Sequence, residues 1–167
     1  ISVGFAHACA IMKTGQLLCW GDNGNRQLGS GQDVPFSSTP LLVSETYHWL
    51  PPVDASSLTV GSGYEHTCAV RVGGLLMCWG GNTYGQLGDT TFVSRTTPVS
   101  VVCDDDLSRI GLIGGVRYLS VGAFHTCAFF LGYRLFCWGL NSDGQCGIGS
   151  NININNPTPV SSAFLFQ

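Results

Sequence analysis

The sequence predicts an all-β fold made of repeated four-stranded antiparallel leaves, and three observations carry that prediction. A block recurs at a constant offset of 59 residues: Gly4-Phe5-Ala6-His7-Ala8-Cys9-Ala10 returns as Gly63-Tyr64-Glu65-His66-Thr67-Cys68-Ala69 and again as Gly122-Ala123-Phe124-His125-Thr126-Cys127-Ala128. A self-similar period of that length marks a repeat architecture, in which each copy buries its apolar surface against the next. Within each copy apolar residues alternate around a Gly-containing turn, the pattern of a β-hairpin. The composition agrees, with 23 Gly among 167 residues and only 10% charged, against about 25% charged in an average soluble domain.

The elements follow in order. Ile1-Ser2-Val3, Leu58-Thr59-Val60 and Tyr118-Leu119-Ser120-Val121 read as a first short strand running up to Gly4, Gly63 and Gly122. The next two strands flank the turns Lys13-Thr14-Gly15, Val72-Gly73-Gly74 and Leu131-Gly132-Tyr133, the last departing from the pattern with Tyr133 in place of Gly. A three-residue loop sets Cys68 opposite Cys78, Val70 opposite Leu76 and His66 opposite Gly80 on one face, and Ala69 opposite Met77 and Thr67 opposite Trp79 on the other. The first copy then pairs Ile11 with Leu17 and Ala10 with Leu18, and the third pairs Phe129 with Leu135 and Ala128 with Phe136. Both faces are apolar, so each sheet has to be covered on both sides. A fourth strand is expected after each Pro: Leu41-Leu42-Val43 after Pro40, Val99-Ser100-Val101-Val102 after Pro98, and a counterpart after Pro159. Pro heads an edge strand without cost, because its missing donor is not needed there. Four strands per 59 residues is the content of a propeller blade. The chain is read as one partial β-propeller over residues 1–167, with about three blades. Repeat cores are expected at 1–29, 60–88 and 119–147, and variable loops and edge strands at 30–59, 89–118 and 148–167.

Charge and hydropathy exclude several classes. The 7 Lys and Arg are scattered and the formal net charge is -3, so nothing neutralises a run of phosphates and no nucleic-acid partner is expected. No apolar run approaches the roughly 18 residues of a membrane-spanning helix, and the chain reads as a soluble segment of a longer polypeptide. No nucleophile elbow, phosphate loop or zinc-protease signature is present, which leads to the expectation that the chain is not an enzyme and carries no cofactor.

The pattern Gly-x-x-His-Thr-Cys-Ala followed by Cys-Trp-Gly-x-Asn-x-x-Gly-Gln-Leu-Gly, as in residues 63–88, resembles the regulator-of-chromosome-condensation type of β-propeller repeat. The resemblance covers nearly the whole chain. Its paired cysteines are similar to those of secreted bacterial members and of crinkly-type plant receptor-kinase ectodomains. It implies a ring of about seven blades, of which this chain would be an arc. Three departures bear on the loops: Arg26 where the other copies have Gly85 and Gly144, Cys146 where they have Leu28 and Leu87, and an insert at 44–57.

The eight cysteines fall into the pairs Cys9 with Cys19, Cys68 with Cys78 and Cys127 with Cys137, plus Cys103 and Cys146. Directly opposed strand positions bring Cα atoms to roughly 4.5–5.5 Å, within bridging range. Three disulfides are expected, and a fourth between Cys103 and Cys146 would leave no cysteine spare. Such bridges belong to an oxidising compartment, hence an extracellular or cell-surface location. The alternatives are free core thiols, or a metal held by His66, Cys68 and Cys78, for which no recurring fourth ligand exists. His7, His66 and His125 are expected to be scaffold parts, hydrogen-bonded to backbone near the preceding Gly, and Trp20, Trp79 and Trp138 to be packing anchors.

Function is expected in what does not repeat. Tyr47, His48 and Trp49 in the insert, with Tyr84, are the contact candidates; the competing reading makes the insert a flap over a blade edge. Asp104-Asp105-Asp106 suits either calcium or a solvated loop. Ser38, Thr39, Thr97 and Thr158 lie beside Pro, where O-linked sugars fit a secreted protein. The reading that follows is a non-catalytic extracellular scaffold or recognition propeller with a protein or glycan partner, or further blades of the same or other chains, against it. The resemblance also implies an alternative, a guanine-nucleotide exchange factor for a small GTPase.

Overall fold

The computed structural model describes residues 1–43, 49, 59–102, 115–130 and 134–161. Among these there is no helix, and the strands form three four-stranded antiparallel sheets. The first blade holds β1 (Ser2–Val3), β2 (His7–Ile11), β3 (Leu17–Asp22) and β4 (Phe36–Leu42). The second holds β5 (Val60–Ser62), β6 (His66–Val70), β7 (Leu76–Gly80) and β8 (Arg95–Ser100), and the third β9 (Val116–Val121), β10 (His125–Phe130), β11 (Arg134–Gly139) and β12 (Ile154–Pro159). Each sheet is ordered as its strands run in sequence, so every connection within a blade joins neighbours.

The hairpin register is the one the turn length dictates. Cys9 faces Cys19, Cys68 faces Cys78 and Cys127 faces Cys137, while Thr67 faces Trp79 and Ala128 faces Phe136. Cα atoms of each cysteine pair stand 4.1 Å apart and the sulfurs are bonded. Alternation then assigns every blade a cystine face and a tryptophan face. The cystine face of blade 1, with Cys9, Leu17 and Cys19, packs on Ala69, Met77 and Trp79 of blade 2. The cystine face of blade 2, with Val70, Leu76 and Leu87, packs on Ala128, Phe136 and Trp138 of blade 3.

The edge strands correct the expectation that Pro opens them. Pro40 and Pro98 lie inside β4 and β8. Pairing shows why: Cys19 faces Leu41, Cys78 faces Val99 and Cys137 faces Thr158, with the register broken just beyond, opposite the tryptophan. The prolines preceding those partners are Pro40, Pro98 and Pro157, so Pro157 and not Pro159 is the third-copy counterpart. All three sit in the irregular stretch of an outermost strand, where a ladder donor is dispensable.

Candidate functional site

The seams between blades are built from recurring letters of the repeat. His7 Nε2 lies 2.8 Å from Thr67 Oγ1 of the next blade, and Thr67 Oγ1 in turn donates to the Gln27 carbonyl at 2.8 Å. The Trp79 indole N–H donates to that same carbonyl at 2.9 Å. The second seam repeats the network: His66 Nε2 to Thr126 Oγ1 at 2.9 Å, Thr126 Oγ1 to the Gln86 carbonyl at 3.1 Å, and Trp138 Nε1 to the same oxygen at 3.0 Å. Because each threonine hydroxyl gives its proton to the carbonyl, it accepts from the histidine, which makes Nε2 the protonated nitrogen. The histidine side chains therefore reach across to the neighbouring blade, not to local backbone as the sequence suggested. The Gly contact expected there is made by main chain, with Gly4 N donating to His7 O at 2.9 Å and Gly63 N to His66 O at 2.8 Å.

Burial decides the charge of these rings. It lowers the His7 pKa to about 4, opposed only in part by Asp22, and lowers that of His66 to about 3, helped by His7 and His125. The Nδ1 atoms of His7 and His66 are buried without a partner, consistent with a neutral ring that spends its one N–H on threonine. Gly63 makes room: a Cβ there would stand 2.7 Å from His66 Cε1 and 2.5 Å from the Gly122 carbonyl. Among the described residues no group of His, Cys, Asp and Glu is arranged to hold a metal.

Asn and Gln of the repeat pin the loop after β3, β7 and β11. Asn82 accepts from Leu87 N at 3.0 Å and donates to the Thr91 carbonyl at 3.0 Å, and Gln86 accepts from Tyr84 N at 2.9 Å. Asn23 and Asn141 do the same, so neither departure in the loops disturbs them: Cys146 N donates to Asn141 Oδ1 at 2.9 Å just as Leu28 N does to Asn23 at 3.0 Å. Arg26 adopts φ 68°, in the left-handed region that Gly85 and Gly144 occupy at 82° and 72°.

Several candidates move. Cys146 is a free, buried thiol whose pKa burial raises to about 11; Cys103, its expected partner, lies outside the described residues. Trp49 is fully buried, 5.6 Å from the Trp79 ring, with its backbone N donating to the Gly15 carbonyl at 2.9 Å. It caps the hairpin ends of the first seam and offers nothing to a ligand, because a flat apolar side chain beside an uncovered core gains more from burial than from exposure. Tyr47, His48 and residues 104–106 lie outside the described residues. Ser38, Thr39 and Thr97 are exposed, and Thr158 is half-buried with its hydroxyl on the Asn156 carbonyl at 3.2 Å.

Tyr84 belongs to a surface feature the sequence did not reveal. Phe5 and Tyr64 stack with ring centres 4.2 Å apart and planes at 19°. Tyr64 meets Phe124 at 5.3 Å, and Phe124 meets Tyr84 edge-on at 5.3 Å. These four rings form a continuous ladder across both seams, at the end of the blades where the Gly-x-x-His turns lie. Backbone bonds from turn to turn hold it, Phe5 N to the Gly63 carbonyl at 3.2 Å and Tyr64 N to the Ala123 carbonyl at 3.0 Å. Phe5 is 71% exposed and Tyr64 38%. A cleft of about 280 Å³ runs beside the ladder, lined by residues 3–5, 62–64 and 121–123. The signal existed in the sequence, as the variable second and third letters of Gly-x-x-His, but nothing there showed that successive copies bring those letters into contact.

Comparison with known proteins places this geometry. The sequence pattern described as the regulator of chromosome condensation (RCC1) repeat matches residues 1–27, 59–86 and 116–145, and a second form of it matches 73–129 and 134–164. Human WBSCR16 superposes with a TM-score of 0.78 at 21% identity, over 96% of this chain and 38% of that one. Yeast RCC1 (Prp20), in its crystal structure with Kap60, superposes with a TM-score of 0.73 at 18% identity over 96% and 36%. At those identities the likeness speaks for the fold. Among curated proteins, the human probable E3 ubiquitin-protein ligase HERC6 is 31% identical over 95% of this chain, and human HERC3, also a probable E3 ubiquitin-protein ligase, is 31% identical over 96%. A mouse secretion-regulating guanine nucleotide exchange factor is 29% identical over 94%. The chain spans 14% of the length of the two ligases and 34% of the exchange factor. These relatives correct the expectation drawn from missing catalytic motifs: repeats of this kind occur within proteins named as enzymes, so absent motifs in the repeat do not decide the matter.

Proposed function

This chain belongs to the regulator of chromosome condensation repeat family, and from that premise we propose that its blades form a recognition module holding a protein or glycan partner on the aromatic ladder. The observation that carries the reading is the ladder itself. Seam packing needs only glycine, histidine, threonine and tryptophan in this region, yet Phe5, Tyr64, Phe124 and Tyr84 add ring surface where it is left in water. Large rigid rings with exposed edges and faces give up little entropy on binding, and a contiguous exposed set marks a contact surface. The three cystines support a working place in an oxidising compartment, at the cell surface or outside it, as part of a larger propeller.

A second reading, nucleotide exchange on a small GTPase, draws on the likeness to the mouse exchange factor. One experiment weighs both. Binding to arrayed glycans and extracellular protein domains is expected to weaken at least about tenfold in Phe5→Ser and Tyr64→Ser, with the unfolding midpoint nearly unchanged. Binding that is indifferent to both substitutions removes the ladder from the account, and accelerated release of labelled GDP from a small GTPase would transfer it to the second reading.

A further inference from the structure

The cleft beside the ladder carries a hydroxyl that the described residues leave unsatisfied. Residues 3, 62 and 121 are one position of the repeat, Val in the first and third copies and Ser in the second. Val121 shows what the apolar letter does: its Cγ2 fills the place that a Cβ on Gly61 would take, closing the second seam between β5 and β9. Ser62 stands at the matching place in the first seam. It pairs with Thr67, so its side chain shares the face that Thr67 turns to His7 of blade 1. Its backbone N donates to Ser2 Oγ at 2.9 Å, and Ser2 is the first-copy counterpart of Gly61. Ser62 is 8% exposed, and its Oγ is buried without a hydrogen-bond partner among the described residues. A buried hydroxyl left in that condition costs stability that the valine of the other copies would not.

The walls around Ser62 define what would satisfy it. Phe5 and Tyr64, stacked on each other, line the same cleft, and none of the nine lining residues is charged, so the occupant is neutral. Its volume of about 280 Å³ is just under the roughly 300 Å³ at which ordinary ligand pockets begin, room for one ring-sized group. Exposed aromatic faces are negative and attract the partly positive C–H face of a pyranose. A sugar hydroxyl both donates and accepts, as serine does, so it completes the bond in either direction. The serine hydroxyl swings on a single bond between staggered positions, and a partner in the cleft can draw it from its unbonded one. We propose that the cleft takes a neutral pyranose unit of a glycan, with its C–H face against Phe5 and Tyr64 and one hydroxyl bonded to Ser62 Oγ. The inference rests on the recognition reading above and chooses the sugar over the protein as the partner of this cleft.

The probes are the methyl β-glycosides of glucose, galactose, mannose and N-acetylglucosamine, titrated into the intact, oxidised chain and followed by saturation-transfer NMR. At least one is expected to bind at millimolar concentration, with its ring C–H protons receiving the strongest saturation. Ser62→Val, which installs the letter of the other two copies, is expected to weaken that sugar at least about tenfold while the unfolding midpoint stays level or rises, because the unbonded hydroxyl is gone. Ser62→Thr, which keeps a hydroxyl, is expected to retain most of the binding. No saturation of any of the four sugars, or an affinity in Ser62→Val and Ser62→Ala equal to that of the parent, overturns the proposal. A clear fall in the unfolding midpoint of Ser62→Val would give the hydroxyl to folding and overturn it as well. If protein domains then bind and depend on Phe5 and Tyr64, the recognition reading survives without the sugar; if nothing depends on those rings, that reading falls too.

Discussion

Blade 2 and its two neighbours carry nearly the same hairpin sequence but experience different solvents. Every residue of β6 and β7 is buried, whereas β2 and β10 alternate between buried and half-buried. The difference lies in coverage, because among the described residues blade 2 has a blade on each face while blade 1 leaves its tryptophan face open and blade 3 its cystine face. One motif thus yields a core residue or a half-exposed one depending only on its neighbours, and a residue's energetic weight follows its place in the stack more than its letter.

The sharpest way to break that comparison is to remove the tryptophans one at a time. Trp79 is fully buried and hydrogen-bonded, so Trp79→Ala is expected to cost about 3–5 kcal/mol. Trp20, half-buried on the open face, should cost about 1–2 kcal/mol. Urea unfolding of this chain with its cystines intact measures both. Equal losses would mean that the tryptophan face of blade 1 is covered in solution.

Acid comes next. His66 at the centre and His7 beside it are neutral when folded, with pKa values of about 3 and about 4, while the unfolded chain binds their protons near 6.5. Below pH 6.5 the unfolded state therefore holds more protons, so their contribution is intact above that pH and is lost progressively from there down to about 3. A loss on the order of 3 kcal/mol from each of the two by pH 4 is expected. His66→Gln should flatten the pH dependence more than His125→Gln, since His125 is only half-buried on the open cystine face and burial lowers its pKa as well. Equal flattening would sink the distinction between centre and edge.

The smallest effect tests the seam hydrogen bonds. Thr67→Val leaves the His7 N–H without an acceptor and takes one of two donors from the Gln27 carbonyl, at an expected cost of about 1–2 kcal/mol. Ala8 is the first-copy counterpart, on the open face, and Ala8→Thr should stay within about 0.5 kcal/mol of the parent. Thermal denaturation of the two variants side by side decides it.

Legibility followed the distance over which each fact is encoded. The pairing of Cys68 with Cys78 and of Thr67 with Trp79 could be read from the turn between them, because a three-residue loop fixes alternation on both strands. The need for cover on both faces followed from the same alternation. The partner of His7 could not be read, since Thr67 lies 60 residues on and local backbone looked equally suitable. The expected counterpart Pro159 stands 61 residues after Pro98, whereas Pro157 stands at the repeat's own offset of 59, and the pairing of Cys137 with Thr158 shows that Pro157 fills the place.

What the amino-acid order determined alone was the period, the strand pairs and the three opposed cysteine couples, all set within one copy by turn length and the two-residue repeat of a strand. What the tertiary structure decided was everything that passes between copies: the histidine–threonine–carbonyl seams, the burial of Trp49 beside Trp79, and the joining of Phe5, Tyr64, Phe124 and Tyr84 into one surface. Those contacts depend on the rotation and separation of neighbouring sheets, which side-chain packing over the whole stack sets and no local stretch of chain contains.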